Sequence, residues 1–178
     1  MTKFLLGLAL VLGFLHSAFA YDPENTLFLD LKDGRVIIQL YPKSAPKTVA
    51  RIKELTRQGF YDGLVFHRVI DGFMAQGGDP TGTGSGGSGQ NIPAEFSTLH
   101  HLRGTVSMAR SQSPDSADSQ FFICLDAASH LDGQYTIFGQ VIEGMEWIDR
   151  IKKGEAYNNG QVKNPDKIIK MQVATDAK

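Results

Sequence analysis

A single cysteine, Cys124, rules out any disulfide within this chain, so the fold has to be held by packing and hydrogen bonds alone. Neither sign of charge is in surplus. Lys and Arg number 18 against 19 Asp and Glu, for a formal net charge of −1, and no basic run stands out, which argues against a nucleic-acid partner. There is no G-x-x-x-x-G-K-[ST], no G-x-S-x-G and no C-x-x-C, which removes the phosphate loop, the nucleophile elbow and the redox dithiol. No Lys-Asp-Glu-Leu closes the chain, so stable retention in an endoplasmic reticulum is not expected. The longest apolar run, Phe4 to Leu15, spans about a dozen residues, short of the roughly 20 that cross a bilayer.

That run has another use. Lys3 is the only charge before Asp22, and Ala18-Phe19-Ala20 supplies the small residues of a cleavage site. Residues 1–20 therefore read as a signal peptide removed after Ala20. The protein is expected in a periplasm or outside the cell, with no membrane attachment after cleavage. Residues 21–178 then form one domain of roughly 160 residues. Its composition, with 42% apolar and 21% charged residues over the whole chain, suits a soluble globular fold.

The remaining pattern is mostly that of strands. Thr26–Leu31 and Arg35–Tyr41 flank Lys32-Asp33-Gly34, a hairpin signal. Further strands are predicted at Leu64–Ile70, Phe73–Gln76, Thr105–Ala109, Gln120–Leu125, Thr136–Val141 and Lys167–Val173. Val49, Ile52 and Leu55 repeat at helical spacing between Pro46 and Gly59, with Ser44 placed as the cap. Glu143–Lys153 reads as a second helix ended by Gly154. Many short strands and two helices suggest a closed barrel. Cys124 sits in an apolar strand and is expected to be a buried, inert thiol. Gly82 to Gly87 satisfies G-x-G-x-x-G, but no helix pattern follows it, and it reads as a surface loop. His100-His101 reads as a solvated loop pair, because adjacent side chains of an extended chain diverge.

Three blocks carry the chemistry: Phe66-His67-Arg68-Val69-Ile70-Asp71-Gly72-Phe73-Met74-Ala75-Gln76-Gly77-Gly78-Asp79, then Ser119-Gln120-Phe121-Phe122-Ile123-Cys124, then Leu131-Asp132-Gly133-Gln134-Tyr135-Thr136-Ile137-Phe138-Gly139. In this order they resemble the cyclophilin family of peptidyl-prolyl cis/trans isomerases, and the exported bacterial members in particular. The resemblance implies a mainly β fold, a closed eight-stranded antiparallel β-barrel capped by two α-helices. It implies a monomer that acts on proline-containing polypeptides without cofactor or metal, and so helps exported proteins to fold.

The family's site then falls on identifiable residues. Arg68 matches the catalytic arginine. Phe73, Met74, Phe122 and Leu131 match the proline pocket, Gln76 and Gln120 the groups that hold the peptide backbone, and Ala109 and Arg110 the segment along which the substrate lies. His130, Tyr135 and Phe138 complete the substrate-binding set. Strand alternation independently puts Met74 with Gln76, and Gln120 with Phe122, leaving Phe121 and Ile123 to point inward. The family often has Asn in place of Arg110, many members have His in place of Tyr135, and the best-known eukaryotic members have Trp in place of His130. The loop Gln112–Asp118 is one residue longer than theirs. These departures imply weaker binding of the drug cyclosporin.

The residue types fit the chemistry. Twisting an amide breaks its conjugation against a barrier of roughly 18–20 kcal/mol, no bond is made or cut, and the proline nitrogen regains a lone pair at the top. A fixed donor such as Arg68 would be rewarded only there. A module that binds proline segments without turnover, and a small-ligand barrel of lipocalin type, are the other readings. The first has no need of a guanidinium at that place, and a barrel this small is usually filled by its own side chains.

Overall fold

The computed structural model describes residues 21–177, so the predicted signal peptide lies outside the described residues. Eight strands follow the order β1 (Thr26–Leu31), β2 (Gly34–Leu40), β3 (Arg68–Ile70), β4 (Met74–Gly77), β5 (Thr105–Met108), β6 (Phe121–Cys124), β7 (Ile137–Glu143) and β8 (Lys170–Val173), with helix α1 (Pro46–Arg57) after β2 and α2 (Met145–Asp149) after β7. They form one sheet in the order β3-β4-β6-β5-β7-β2-β1-β8, with every neighbouring pair antiparallel.

The sheet curls into an open half-barrel, which corrects the expected closed barrel. No ladder joins β3 to β8. Between them run one isolated bridge, Val65 with Lys167, and three backbone hydrogen bonds: Gly63 N–H to Ile168 O, Phe66 N–H to Asp166 O and Ile168 N–H to Leu64 O. The strand expected from Leu64 is regular only from Arg68. Adjacent Phe66 and His67 are both buried, Phe66 in the core against Phe121 and His67 under the loop that carries Gly84.

The main core fills the concave side. Leu27, Leu29, Val36, Ile38, Val106, Phe121 and Ile123 alternate inward from their strands and meet Val49, Ile52 and Leu55 of α1. The α1 stop matches expectation: Gly59 takes φ +70°, its N–H bonds Thr56 O, and Phe60 N–H bonds Leu55 O, the six-to-one and five-to-two pattern that ends many helices. The start does not. The helix begins at Pro46 with Ala45 before it, so Ser44 lies one residue too early to cap. Glu95, from a distant loop, takes the free amides instead: Lys47 N–H at 3.0 Å on one oxygen, Thr48 N–H and Thr48 Oγ1 at 2.8 Å on the other. A carboxylate at a helix N-terminus also meets the positive end of the macrodipole. Glu95→Ala is therefore expected to cost about 1–2 kcal/mol, read as a lower urea midpoint at unchanged slope.

Two further readings shift in detail. Gly34 pairs with Leu31 across the Lys32-Asp33 turn, but its φ is not positive. It is needed for close approach: a Cβ there would stand 2.5 Å from the Trp147 ring, which α2 lays over the hairpin. And α2 is shorter than predicted at both ends: β7 continues to Glu143 and Gly144 turns the chain at φ +81° before Met145, and the helix closes at Asp149 rather than running to Gly154.

Candidate active site

Strand β6 separates two environments. Phe121 and Ile123 enter the main core, while Phe122 and Cys124 turn to a second cluster with Met74 and Ala128. Ile70, Phe73, Ala109, Leu131 and Tyr135 close around that cluster. The result is an open cavity of about 120 Å³ lined by Arg68, Phe73, Met74, Gln76, Ala109, Arg110, Phe122, Leu131 and Tyr135. The pairing of Arg68 with Gln76, and of Gln76 with Phe122, sets these side chains by register, although Arg68 and Phe122 are far apart in sequence.

Arg68 is the only charged group on that wall besides Arg110, and its donors go to neutral acceptors. Nε bonds Asn159 O at 3.0 Å, one terminal nitrogen bonds Asn159 Oδ1 at 3.0 Å, and the other bonds Gln76 Oε1 at 3.2 Å. None of the ion pairs among the described residues involves it. Burial draws its pKa below the ordinary value, but a guanidinium starts so far above neutrality that it stays charged. A fourth N–H points at Met74 Sδ, 3.9 Å away, so one of the five N–H groups on the side chain is left free for an incoming atom.

The polar chain continues outward. Gln76 donates to Gln120 Oε1 at 2.9 Å, and Gln120 donates to Gly84 O and Gly86 O at 3.0 and 2.8 Å. The Gly82–Gly87 stretch is thus a surface loop, as expected, and it anchors Gln120. Asp79 organises that loop from inside, accepting from Thr81 N–H at 2.7 Å, Thr83 N–H at 3.1 Å and Gly84 N–H at 2.6 Å. Burial alone would raise its carboxyl, yet the Thr81 amide and hydroxyl and the Gly86 and Gly84 amides bring it down to about 2. The folded value lies below the free value of 3.8, so this stabilisation is complete above about pH 4 and is lost as pH falls through about 2. Denaturant melts between pH 2 and 7 should show that loss, and Asp79→Asn should show less of it from a lower starting stability.

Not every expected residue faces the cavity. Phe138 is 1% exposed inside the main core, so it supports the sheet rather than lining the groove. Gln120 lies in the adjoining cleft of about 330 Å³ with Gly84, Gly86, Asn91 and Asp118. His130 is exposed at the rim, its ring 5.3 Å from that of Phe73. Arg110 is turned in: it sits 4.6 Å over the Tyr135 ring and donates to Gln134 O, Ser111 O and Gln112 O. Cys124 is buried and its thiol is pushed up to about 12 by burial, as an inert residue should be.

Sequence reasoning missed two residues. Asn159 holds Arg68 from a left-handed backbone conformation, φ +50°; the Asn158-Asn159-Gly160 run was the available signal for such a turn. His101 was expected in solvent but is 1% exposed. Only His100 faces outward, and both rings reach one carboxylate, Asp132. The expected divergence therefore fails at the rings, which meet on that carboxylate, while the loop folds one of them inward.

Residues 27–173 match the family model described as cyclophilin type peptidyl-prolyl cis-trans isomerase/CLD. A probable peptidyl-prolyl cis-trans isomerase of Brucella suis biovar 1 is 53% identical over 182 residues, covering 96% of this chain and 93% of that protein. The crystal structure of a cyclophilin from Hirschia baltica is similar with a TM-score of 0.80 at 27% identity, over 89% of this chain and 77% of that one. A cyclophilin-type isomerase of Cryptosporidium parvum, solved in the presence of the dipeptide Ala-Pro, matches with a TM-score of 0.76 at 30% identity, over 83% and 98% of the two chains.

Proposed function

Since this chain belongs to the cyclophilin-type peptidyl-prolyl cis-trans isomerase family and is an isomerase of that kind, we propose that Arg68 is its catalytic residue and that it works on X-Pro bonds of exported polypeptides. The observation that carries the reading is the guanidinium itself: charged, held by neutral acceptors at the mouth of a cavity that Phe73, Met74, Phe122 and Leu131 also line, with one donor to spare.

In the planar amide the proline nitrogen gives its lone pair to the carbonyl and has little to offer a donor. As the C–N bond twists, the pair returns to nitrogen and becomes basic. A guanidinium facing it then stabilises the twisted state and hardly touches the planar one, which is the condition for raising the rate rather than merely the affinity. A carboxylate on Arg68 would cancel that field; Asn159 and Gln76 orient the group without doing so. Phe73, Met74, Phe122 and Leu131 hold the pyrrolidine ring, while Gln76, Gln120 and Ala109 hold the flanking backbone so that one side of the bond turns against the other. Acceleration by 10⁵ would require roughly 7 kcal/mol in all.

The test is a protease-coupled isomerisation assay on a short X-Pro peptide with the chain from residue 21. Rapid turnover is expected; saturable binding without acceleration would replace the reading with that of a proline-binding module. The exported site of action rests on residues 1–20, and a cell-envelope protein whose mass begins at Tyr21 is the corresponding result. Cyclosporin should bind weakly, as His130 offers less surface at the rim than Trp; inhibition at nanomolar concentrations would contradict this.

A further inference from the structure

Behind the cavity lies a titratable group that the mechanism does not use. The His101 side chain is fully buried. Its ring lies nearly parallel to Phe122, 6.0 Å away at 15°, and edge-on to Tyr135 at 6.5 Å. Those two rings are themselves T-packed at 5.9 Å, and both line the cavity. Four bonds fasten His101. Nδ1 is 2.9 Å from Asp132 Oδ1, Nε2 is 3.1 Å from Ser107 Oγ, its N–H donates to Asp132 Oδ1 at 2.8 Å, and its carbonyl accepts from Ala128 N–H at 2.8 Å. Asp132 directly follows Leu131, another cavity residue, and Ala128 belongs to the cluster beneath it.

We propose that His101 is a positioning residue for the isomerase site, and that its neutral imidazole, clamped between Asp132 and Ser107, sets the Phe122 and Tyr135 rings against which the proline is held. Proton bookkeeping distinguishes the neutral form from the cation. Ionised Asp132 only accepts, so Nδ1 carries a proton. In the neutral ring Nε2 is then an acceptor, and the Ser107 hydroxyl donates to it. The one Ser107 hydroxyl proton thus has two acceptors in reach, Nε2 at 3.1 Å and Thr136 O at 2.9 Å; a second proton on Nε2 makes Ser107 accept there and leaves it only Thr136 O to donate to. Thr136 O already accepts Met108 N–H, and Met108 precedes Ala109 on the cavity wall. Charging His101 therefore changes its bonding to the partners of both ring nitrogens, turning a hydrogen-bonded imidazole between Asp132 and Ser107 into a cation that donates to both.

The groups facing His101 are Asp132, with His100 on its other oxygen, then His130 and Tyr135. Burial lowers the His101 pKa against the opposing pull of Asp132, so the ring is neutral at pH 7 and charges only on the acid side of its ordinary value of 6.5.

The inference rests on the isomerase reading, and the experiment separates the two. Isomerisation of a proline peptide is followed by NMR exchange, without a coupling protease, from pH 4.5 to 8, in the parent, His101→Phe and Asp132→Asn. The parent should show an acid limb in kcat. His101→Phe keeps a flat ring but no polar clamp; it should lose roughly 10-fold or more in kcat/KM at pH 7, since a shift of about 1 Å can cost up to 10²-fold, and should lack the limb. Asp132→Asn, which removes the charge that favours the cation, should move the limb to lower pH. If His101→Phe folds poorly, the parent alone decides: Phe122 and Tyr135 ring resonances should move with the His101 midpoint. Rings that stay still while His101 titrates, or a His101→Phe enzyme with full activity and the same acid limb, would overturn the proposal. An inactive parent would instead overturn the isomerase reading.

Discussion

Arg68→Ala lowers kcat/KM on a proline peptide by about 10²–10³-fold, the loss that follows removal of one preorganised donor from a developing charge, roughly 2.7–4 kcal/mol. The fold should survive the change. Arg68 is partly exposed at the cavity mouth, and its partners on the protein are one backbone carbonyl, two side-chain amides and the Met74 sulfur. Asn159 Oδ1 and Gln76 Oε1 can turn to water when it goes, so circular dichroism and Tm should stay near those of the parent. Arg68→Lys is the informative companion. An ammonium keeps the charge but cannot bond Asn159 and Gln76 at once while presenting a fixed fork to the substrate. It should recover only part of the rate, and mostly through KM. If Arg68→Ala turned over as fast as the parent, transition-state stabilisation by the guanidinium would be wrong, whatever the family.

The second large effect is on stability, and it comes from a neighbour of a pocket residue. Phe121 and Phe122 are adjacent, equally aromatic and both buried. Phe121 packs edge-on to Tyr61 at 5.7 Å and to Phe66 at 6.4 Å within the main core. Phe121→Ala should therefore cost about 3–5 kcal/mol through lost burial and the cavity left behind, a fall in Tm of roughly 6–20 °C for a domain of this size. Isomerase activity should persist below the new transition, because the pocket face of β6 is untouched. Phe122→Ala should reverse the balance, losing rate at temperatures where the variant is still folded. Thermal melts paired with the peptide assay check both; a Phe121→Ala variant as stable as the parent would show that the ring is not carrying the core.

This contrast was legible in advance. Alternation along a strand is a local property, so Gln120 and Phe122 could be assigned to one face and Phe121 and Ile123 to the other before any pairing was known. The helix over Pro46–Arg57 and its stop at Gly59 were legible for the same reason, since apolar spacing and a left-handed glycine act within a few residues. The grouping of Arg68, Phe73, Met74, Gln76, Phe122 and Leu131 came from the three blocks taken together and the family they resemble; no single residue type would have implied it.

What could not be read was decided at long range. The helix cap went to Glu95, some fifty residues downstream of Ser44, because a free amide takes whichever acceptor the tertiary fold delivers. His101 went inside because Asp132, Ser107 and two aromatic rings were brought around it; in the chain alone it is one of two adjacent histidines in a polar stretch. Phe138 went to the core although it lies in a block that carries site residues, since β7 runs through the centre of the sheet. The edge from β3 to β8 stayed open, crossed only by the Val65–Lys167 bridge and three backbone bonds, a pairing outcome that strand propensity does not record. The sequence by itself determined the elements, the faces of the strands and, through its motifs, the family and the set of side chains from which the site is made. Only the tertiary structure decided which acceptors those side chains found and hence that Arg68 remained an uncancelled charge, because hydrogen bonding and burial depend on neighbours that the chain brings together only when it folds.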